Sequence, residues 1–182
     1  THPRSLIPKY MGGHSAGNMI HPGVLEHLTE TILTDSAYWL TDRLVFLGEI
    51  PRRLSFENFH SKGSIYVDGK KHEDHLVEDS ALVYNGDQGL VIITGCSHAG
   101  ICNIINAARK ICGTEHIHDI VGGLHLLNPS QEKLAGTVEF LKHVRPDVLH
   151  PCHCTRETYR RILGNHFSVH ETGAGKVLHY DG

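Results

Sequence analysis

The spacing of apolar and polar positions is clearest from residue 80 onward. Ala81-Leu82-Val83-Tyr84 and Leu90-Val91-Ile92-Ile93-Thr94 flank Asn85-Gly86-Asp87-Gln88-Gly89, which predicts a β-hairpin. Ala99 to Cys112 carries Ile101, Ile104, Ile105, Ala108 and Ile111 on one stripe, a helix with Gly113 as its stop. Ile117 to Val121 predicts a strand running into Gly122-Gly123. Pro129-Ser130 opens a second helix striped by Leu134, Val138 and Leu141. Asp147-Val148-Leu149-His150 predicts a strand running into Pro151. Thr155 is expected to cap a third short helix that stops at Gly164, and Phe167–His170 with Lys176–Tyr180 to close the chain as a hairpin around Gly173-Ala174-Gly175. Upstream the signals are weaker. Residues 1 to about 20 read as an irregular arm, and Val24 to Leu33 as a short helix behind Pro22-Gly23. Leu44 to Gly48 and Ser64 to Val67 read as short strands. The sum is an α/β unit, a β-hairpin followed by β-α-β-α-β-α-β-β, with no internal repeat and no linker.

Composition narrows the partners. A chain of 182 residues, 40% of them hydrophobic, supports one compact domain with a substantial core. The net charge of −3 and the scatter of Arg52-Arg53, Lys70-Lys71 and Arg160-Arg161 leave no basic field for nucleic acid. No apolar run approaches the roughly 20 residues that span a bilayer, and no charged-then-apolar leader opens the chain. A soluble protein with no membrane partner is therefore expected. Five cysteines, an odd number with only one residue between Cys152 and Cys154, suit reduced thiols in a cytoplasm better than a disulfide framework. Seventeen histidines point toward metal chemistry, although His27, His60 and His166 have no partner pattern and read as surface residues. The first residue is Thr1, not methionine, which suggests a processed, truncated or recombinant piece.

Three predicted strands each end on candidate ligands: Gly95-Cys96-Ser97-His98, Gly122-Gly123-Leu124-His125 and Pro151-Cys152-His153-Cys154. Functional groups in α/β layers gather at the carboxyl ends of neighbouring strands. Imidazole and thiolate there suit one or two ions of zinc or iron, and the glycines allow the sharp turn that aims a ligand inward. Each residue also has a plainer reading. Cys96 would be a small buried thiol, and His98 and His153 helix-capping or hydrogen-bonding histidines. Cys102 and Cys112 read as core, Cys152 and Cys154 as packing residues, and His150 as a satisfied interior histidine. His116-Ile117-His118-Asp119 reads as a polar strand start.

The order of these motifs resembles the C-terminal half of the metallo-β-lactamase superfamily. Thr94-Gly95-Cys96-Ser97-His98-Ala99-Gly100-Ile101, Val121-Gly122-Gly123-Leu124-His125-Leu126 and His153-Cys154-Thr155 resemble its dihydropterin-ribofuranosylaminobenzene-phosphate-synthase-like branch. So does Gly48-Glu49-Ile50-Pro51-Arg52, with Phe56-Glu57 just after it. The resemblance runs from about His2-Pro3 onward. It implies the second half of an αββα sandwich with a dinuclear metal site on its edge. It places Cys96, His98 and His153 among the metal ligands, and Glu78 and Asp79 as ligands or as groups that orient them. His125 would be the catalytic residue, contacting a ligand phosphate or carrying a proton. The first motif of that superfamily, His-x-His-x-Asp-His, is absent. Lys70-Lys71-His72-Glu73-Asp74-His75 imitates its second part, but in the wrong place. The expectation is that the N-terminal half was removed, encoded separately or lost.

Two functions follow. In one, the chain is a metal-dependent hydrolase-like protein acting on a small phosphorylated or pterin-like molecule and completed by an N-terminal fragment. In the other, it is a metal-free scaffold or ligand-binding protein, whose uncovered apolar face favours self-association into a homo-oligomer.

Overall fold

The computed structural model describes residues 1–58 and 63–181. The hairpin expected around Asp87-Gln88 is formed by β-strands Ala81–Gly86 and Gly89–Thr94. In chain order the strands are β1 (Lys9–Met11), β2 (His14–Ser15), β3 (Tyr38–Trp39), β4 (Leu44–Phe46), β5 (Gly63–Val67), β6 (Lys70–Glu73), β7 (Ala81–Gly86), β8 (Gly89–Thr94), β9 (Ile117–Gly122) and β10 (Val148–Pro151). The helices are α1 (Pro22–Leu28), α2 (Ile101–Cys112), α3 (Gln131–Val144) and α4 (Glu157–Gly164). A six-stranded sheet runs in the order β10-β9-β8-β7-β4-β3, beside a small four-stranded sheet β2-β1-β5-β6.

In the large sheet β8, β9 and β10 are parallel, because α2 and α3 carry the chain back between them. β7, β4 and β3 extend it antiparallel. Burial alternates along β4 and β7, whereas the central strand β8 is buried on consecutive residues from Gly89 to Ile92 because both its faces are covered. Val45, Val83, Leu90, Ile92, Ile120 and Leu149 are buried, and they belong to one core cluster with Ile101, Ile104, Ile105 and Ala108 of α2, Leu141 of α3 and Leu163 of α4. Each such side chain contributes roughly 1.5–3 kcal/mol relative to exposure. The register partners Leu44 and Tyr84, and Phe46 and Leu82, occupy the intervening positions and are only half-buried. The helix stripe and the Gly113 stop hold: Gly113 takes a left-handed φ of 64° and donates to the Arg109 carbonyl.

Four local expectations are corrected. The arm is not wholly irregular: a 3-10 turn spans Pro3–Leu6, and β1 turns through Gly12-Gly13 into β2 and pairs with β5. α1 stops at Leu28 and none of its residues is buried, so Val24 and Leu28 lie uncovered rather than in a core. Thr155 caps no helix, because its hydroxyl accepts the Leu124 N–H and Arg156 takes the capping position instead. The closing hairpin does not form. Leu149 donates to the Ser168 carbonyl and accepts from His170, so that segment lies along β10, and the tail is fastened by Tyr180 donating to Asp119. The strand Lys70–Glu73 was not anticipated, since every residue in it is exposed. Among the described residues no helix is long and apolar enough to cross a membrane. His27 and His166 are exposed, and His60 lies outside the described residues.

Candidate functional site at the strand ends

The carboxyl ends of β8, β9 and β10 are tied together by backbone and side-chain hydrogen bonds. Gly123 donates its N–H to the Gly95 carbonyl at 2.9 Å, and the Ser97 hydroxyl donates to the Gly123 carbonyl at 2.6 Å. Cys152 N–H donates to the Gly122 carbonyl at 2.9 Å. The thiol of Cys154 accepts the His125 N–H at 3.2 Å and donates to the Cys96 carbonyl at 3.3 Å, linking all three loops. Ser97, His125 and His153, one in each loop, have left-handed φ values of 59°, 51° and 50°. Such residues are sparse away from glycine, and each costs on the order of 1–2 kcal/mol. They cluster at three adjacent strand ends.

These turns bring two imidazoles together. The rings of His98 and His125 meet edge to face, with centroids 4.6 Å apart. Asp79, in the loop before β7, accepts the Ala99 N–H at 2.8 Å with one oxygen and stands 3.9 Å from His98 Nδ1 with the other. A cavity of about 490 Å³ opens beside them, lined by Glu78, Asp79, Cys96 and His98 on one side and by Lys9 and Asn18 of the arm on the other. Lys9 is buried and binds Asp74 at 2.9 Å and Glu78 at 2.8 Å, so one oxygen of Glu78 is engaged within the protein.

Burial, then the neighbouring His98 and Lys133, pushes the His125 imidazole down to about 4. Burial also lowers His98, against the pull of Asp79. The Cys96 thiol is pushed up to about 11 by burial, Cys154 and Asp79. At neutral pH both imidazoles are uncharged and the thiol is protonated. Because the unfolded chain binds a proton at His125 near pH 6.5 and the folded chain does so only near 4, stability falls as pH drops through that window. Melting temperature measured from pH 7 to pH 4 should decline, and His125→Gln should flatten the decline. An unchanged slope in that variant would show that the imidazole is not held neutral.

The site residues expected from sequence are thus distributed. Glu78, Asp79, Cys96 and His98 share one cavity, and His125 touches His98. His153 is exposed at the end of β10 and does not line that cavity. Among the described residues no three His, Cys, Asp or Glu side chains are arranged to hold a metal ion, so this set does not by itself complete a zinc or iron centre. His150 is buried against Asp119 at 2.8 Å, and His116 and His118 share Asp147. Cys102 and Cys154 are buried and Cys112 and Cys152 half-buried. Sequence reasoning missed Lys9, Glu57 and Lys133. Glu57 entered the sequence reading only within the Phe56-Glu57 pair of the resemblance; its closeness to Gly100, where an added Cβ would meet its carboxylate, is visible only in the fold.

No family model matches the chain. A 7,8-dihydropterin-6-methyl-4-(β-D-ribofuranosyl)-aminobenzene-5'-phosphate synthase of Methanocaldococcus jannaschii is 27% identical over 139 residues, 74% of this chain and 47% of that protein. An uncharacterized protein of the same organism is 27% identical over 157 residues, 85% of this chain and 57% of that one. The chain spans about half the length of these curated relatives. A solved metal-dependent hydrolase of the β-lactamase superfamily superposes with a TM-score of 0.85 at 27% identity, over 99% of this chain and 70% of that one. The chain has the metallo-β-lactamase fold. Within the metallo-β-lactamase fold seen here, the cavity lies where β8 and the loop before β7 meet the arm. The hairpin and the alternating helices and strands read from sequence are present from β7 to α4, without the closing hairpin.

Proposed function

We propose that this chain forms part of the catalytic edge of a metallo-β-lactamase-type hydrolase acting on a small phosphorylated or pterin-like molecule. The observation that carries the reading is the His98–His125 ring contact, in which His98 also lines the cavity shared with Asp79. An uncharged imidazole in a strained, half-buried turn is suited to take or give a proton at a reacting group. Asp79 orients His98, and Cys96 and His98 would contribute donors to an ion, zinc or iron, with the remaining donors coming from a complementary segment. The name of the synthase relative supports a phosphorylated, pterin-containing ligand, and that of the solved relative supports metal dependence. Five free thiols suit a reducing compartment such as the cytoplasm.

A second reading, a metal-free ligand-binding scaffold, is favoured by the missing third donor among the described residues. Native mass spectrometry of the protein from its source, with elemental analysis and assay against phosphomonoesters and pterin phosphates, separates the two. Bound metal, a complementary chain and turnover support the hydrolase. Ligand binding by a metal-free homo-oligomer without turnover supports the scaffold and overturns the hydrolase.

A further inference from the structure

Two thiols from distant parts of the chain meet at the strand ends. Cys96 follows β8, and Cys154 follows β10, 58 residues later. The Cys154 sulfur is held from two sides: it accepts the His125 N–H at 3.2 Å and donates to the Cys96 carbonyl at 3.3 Å. Gly123 keeps the space between them open. A Cβ added there would stand 2.5 Å from the Cys154 sulfur and 3.3 Å from Cys96 Cα, so both flank one empty side-chain position. The Cys96 thiol in turn makes a side-chain hydrogen bond with Cys154. A sulfur already resting on its partner's main chain can reach the bonding distance of about 2 Å through side-chain rotation.

The two sulfurs are unequally exposed. Cys96 is half-buried and lines the cavity with Asp79 and His98, whereas Cys154 is 5% exposed and does not line it. A reagent arriving from solvent therefore meets Cys96 first.

We propose that Cys96 and Cys154 form a site of reversible thiol–disulfide exchange with small-molecule disulfides, entered through Cys96 and closed by Cys154. In the first step the Cys96 sulfur loses its proton to solvent and attacks one sulfur of the small disulfide. One small thiolate leaves and takes up a proton. In the second step the Cys154 sulfur attacks the Cys96 sulfur of the mixed disulfide. Its proton goes to the second small thiolate as that leaves, and the Cys96–Cys154 bond is made. The protein gives up two electrons and two protons, and the small disulfide becomes two thiols. The first attack is slow at neutral pH, because the buried Cys96 thiol stays protonated there. In a reducing compartment such a bond is transient. The pairing rests on the placement of the two sulfurs and does not depend on the hydrolase reading.

The test is incubation of the folded full chain with excess oxidised glutathione at mildly alkaline pH until reaction stops. Thiol titration and unreduced peptide mass mapping with fragmentation follow. Three of the five thiols should stay free, with Cys96 and Cys154 linked, and dithiothreitol should restore all five. Cys154→Ser should instead hold glutathione on Cys96, because the resolving sulfur is gone. Cys152→Ala should link as wild type does. Five free thiols at the end, a glutathione adduct on Cys96 that persists in wild type, or a linkage through Cys152 overturns the proposal. A Cys154→Ser variant that takes up no glutathione also overturns it, because entry through Cys96 then fails.

Discussion

Gly122→Ala should destabilise the fold by about 3–5 kcal/mol, the sum of a strained backbone and a steric clash. Gly122 ends β9 with φ at 127°, a conformation open to glycine and to almost nothing else. An added Cβ would stand 2.2 Å from the Thr94 backbone carbonyl and 2.5 Å from its hydroxyl. Thr94 is the last residue of β8, and its hydroxyl bonds the Gly123 carbonyl at 3.1 Å. The clash therefore cannot be relieved by moving one flexible side chain; it pushes two parallel strands apart where the loops to His98 and His125 begin. Urea unfolding should show a lower midpoint with an unchanged slope. The His98 and His125 signals should also broaden or move in the folded fraction. A midpoint within the usual surface-substitution range, about 0.5 kcal/mol of wild type, would mean that the strand ends are looser than their hydrogen bonds indicate.

In the hydrolase proposed above, His125→Asn should lower turnover by about 10²–10⁴-fold, the range for loss of a positioned proton carrier, while leaving the melting temperature at neutral pH close to wild type. Asparagine is chosen because it tolerates the left-handed backbone at this position, where φ is 51°. It preserves the N–H that donates to Cys154 and removes only the ring that carries the proton and touches His98. The measurement is kcat and KM on the best phosphoester found for the assembled enzyme. A fall in kcat with KM nearly unchanged assigns the ring to the chemical step. A rise in KM alone would make it a binding group, and no change in either would remove it from the site.

The central hairpin, α2, α3 and the parallel strands were legible because their signals are local. Apolar residues recur at helical or alternating spacing over a dozen positions, and Gly113 and Ser130 mark ends by chemistry that acts within one turn. The closing hairpin misled because Phe167–His170 has strand-like residues but finds β10 instead of a neighbour in sequence. Thr155 misled because a capping hydroxyl is indistinguishable from one that accepts a distant N–H until the loops are brought together.

By itself, the sequence determined the order of elements from β7 to α4 and placed Cys96, His98, His125 and His153 at the ends of strands, since glycine-bounded turns after apolar runs are read residue by residue. Only the tertiary structure decided which of them meet. It put His98 against His125 and left His153 exposed at the end of β10. It also drew Lys9 to Asp74 across 65 residues and Glu57 to the start of α2 across 45. Lys133 looks in sequence like any charged residue of a first helical turn; its burial follows from the packing of α3 beside the Ser55–Glu57 turn. Contacts of that kind depend on how layers pack, and a one-dimensional pattern carries no term for the distance between residues far apart in the chain.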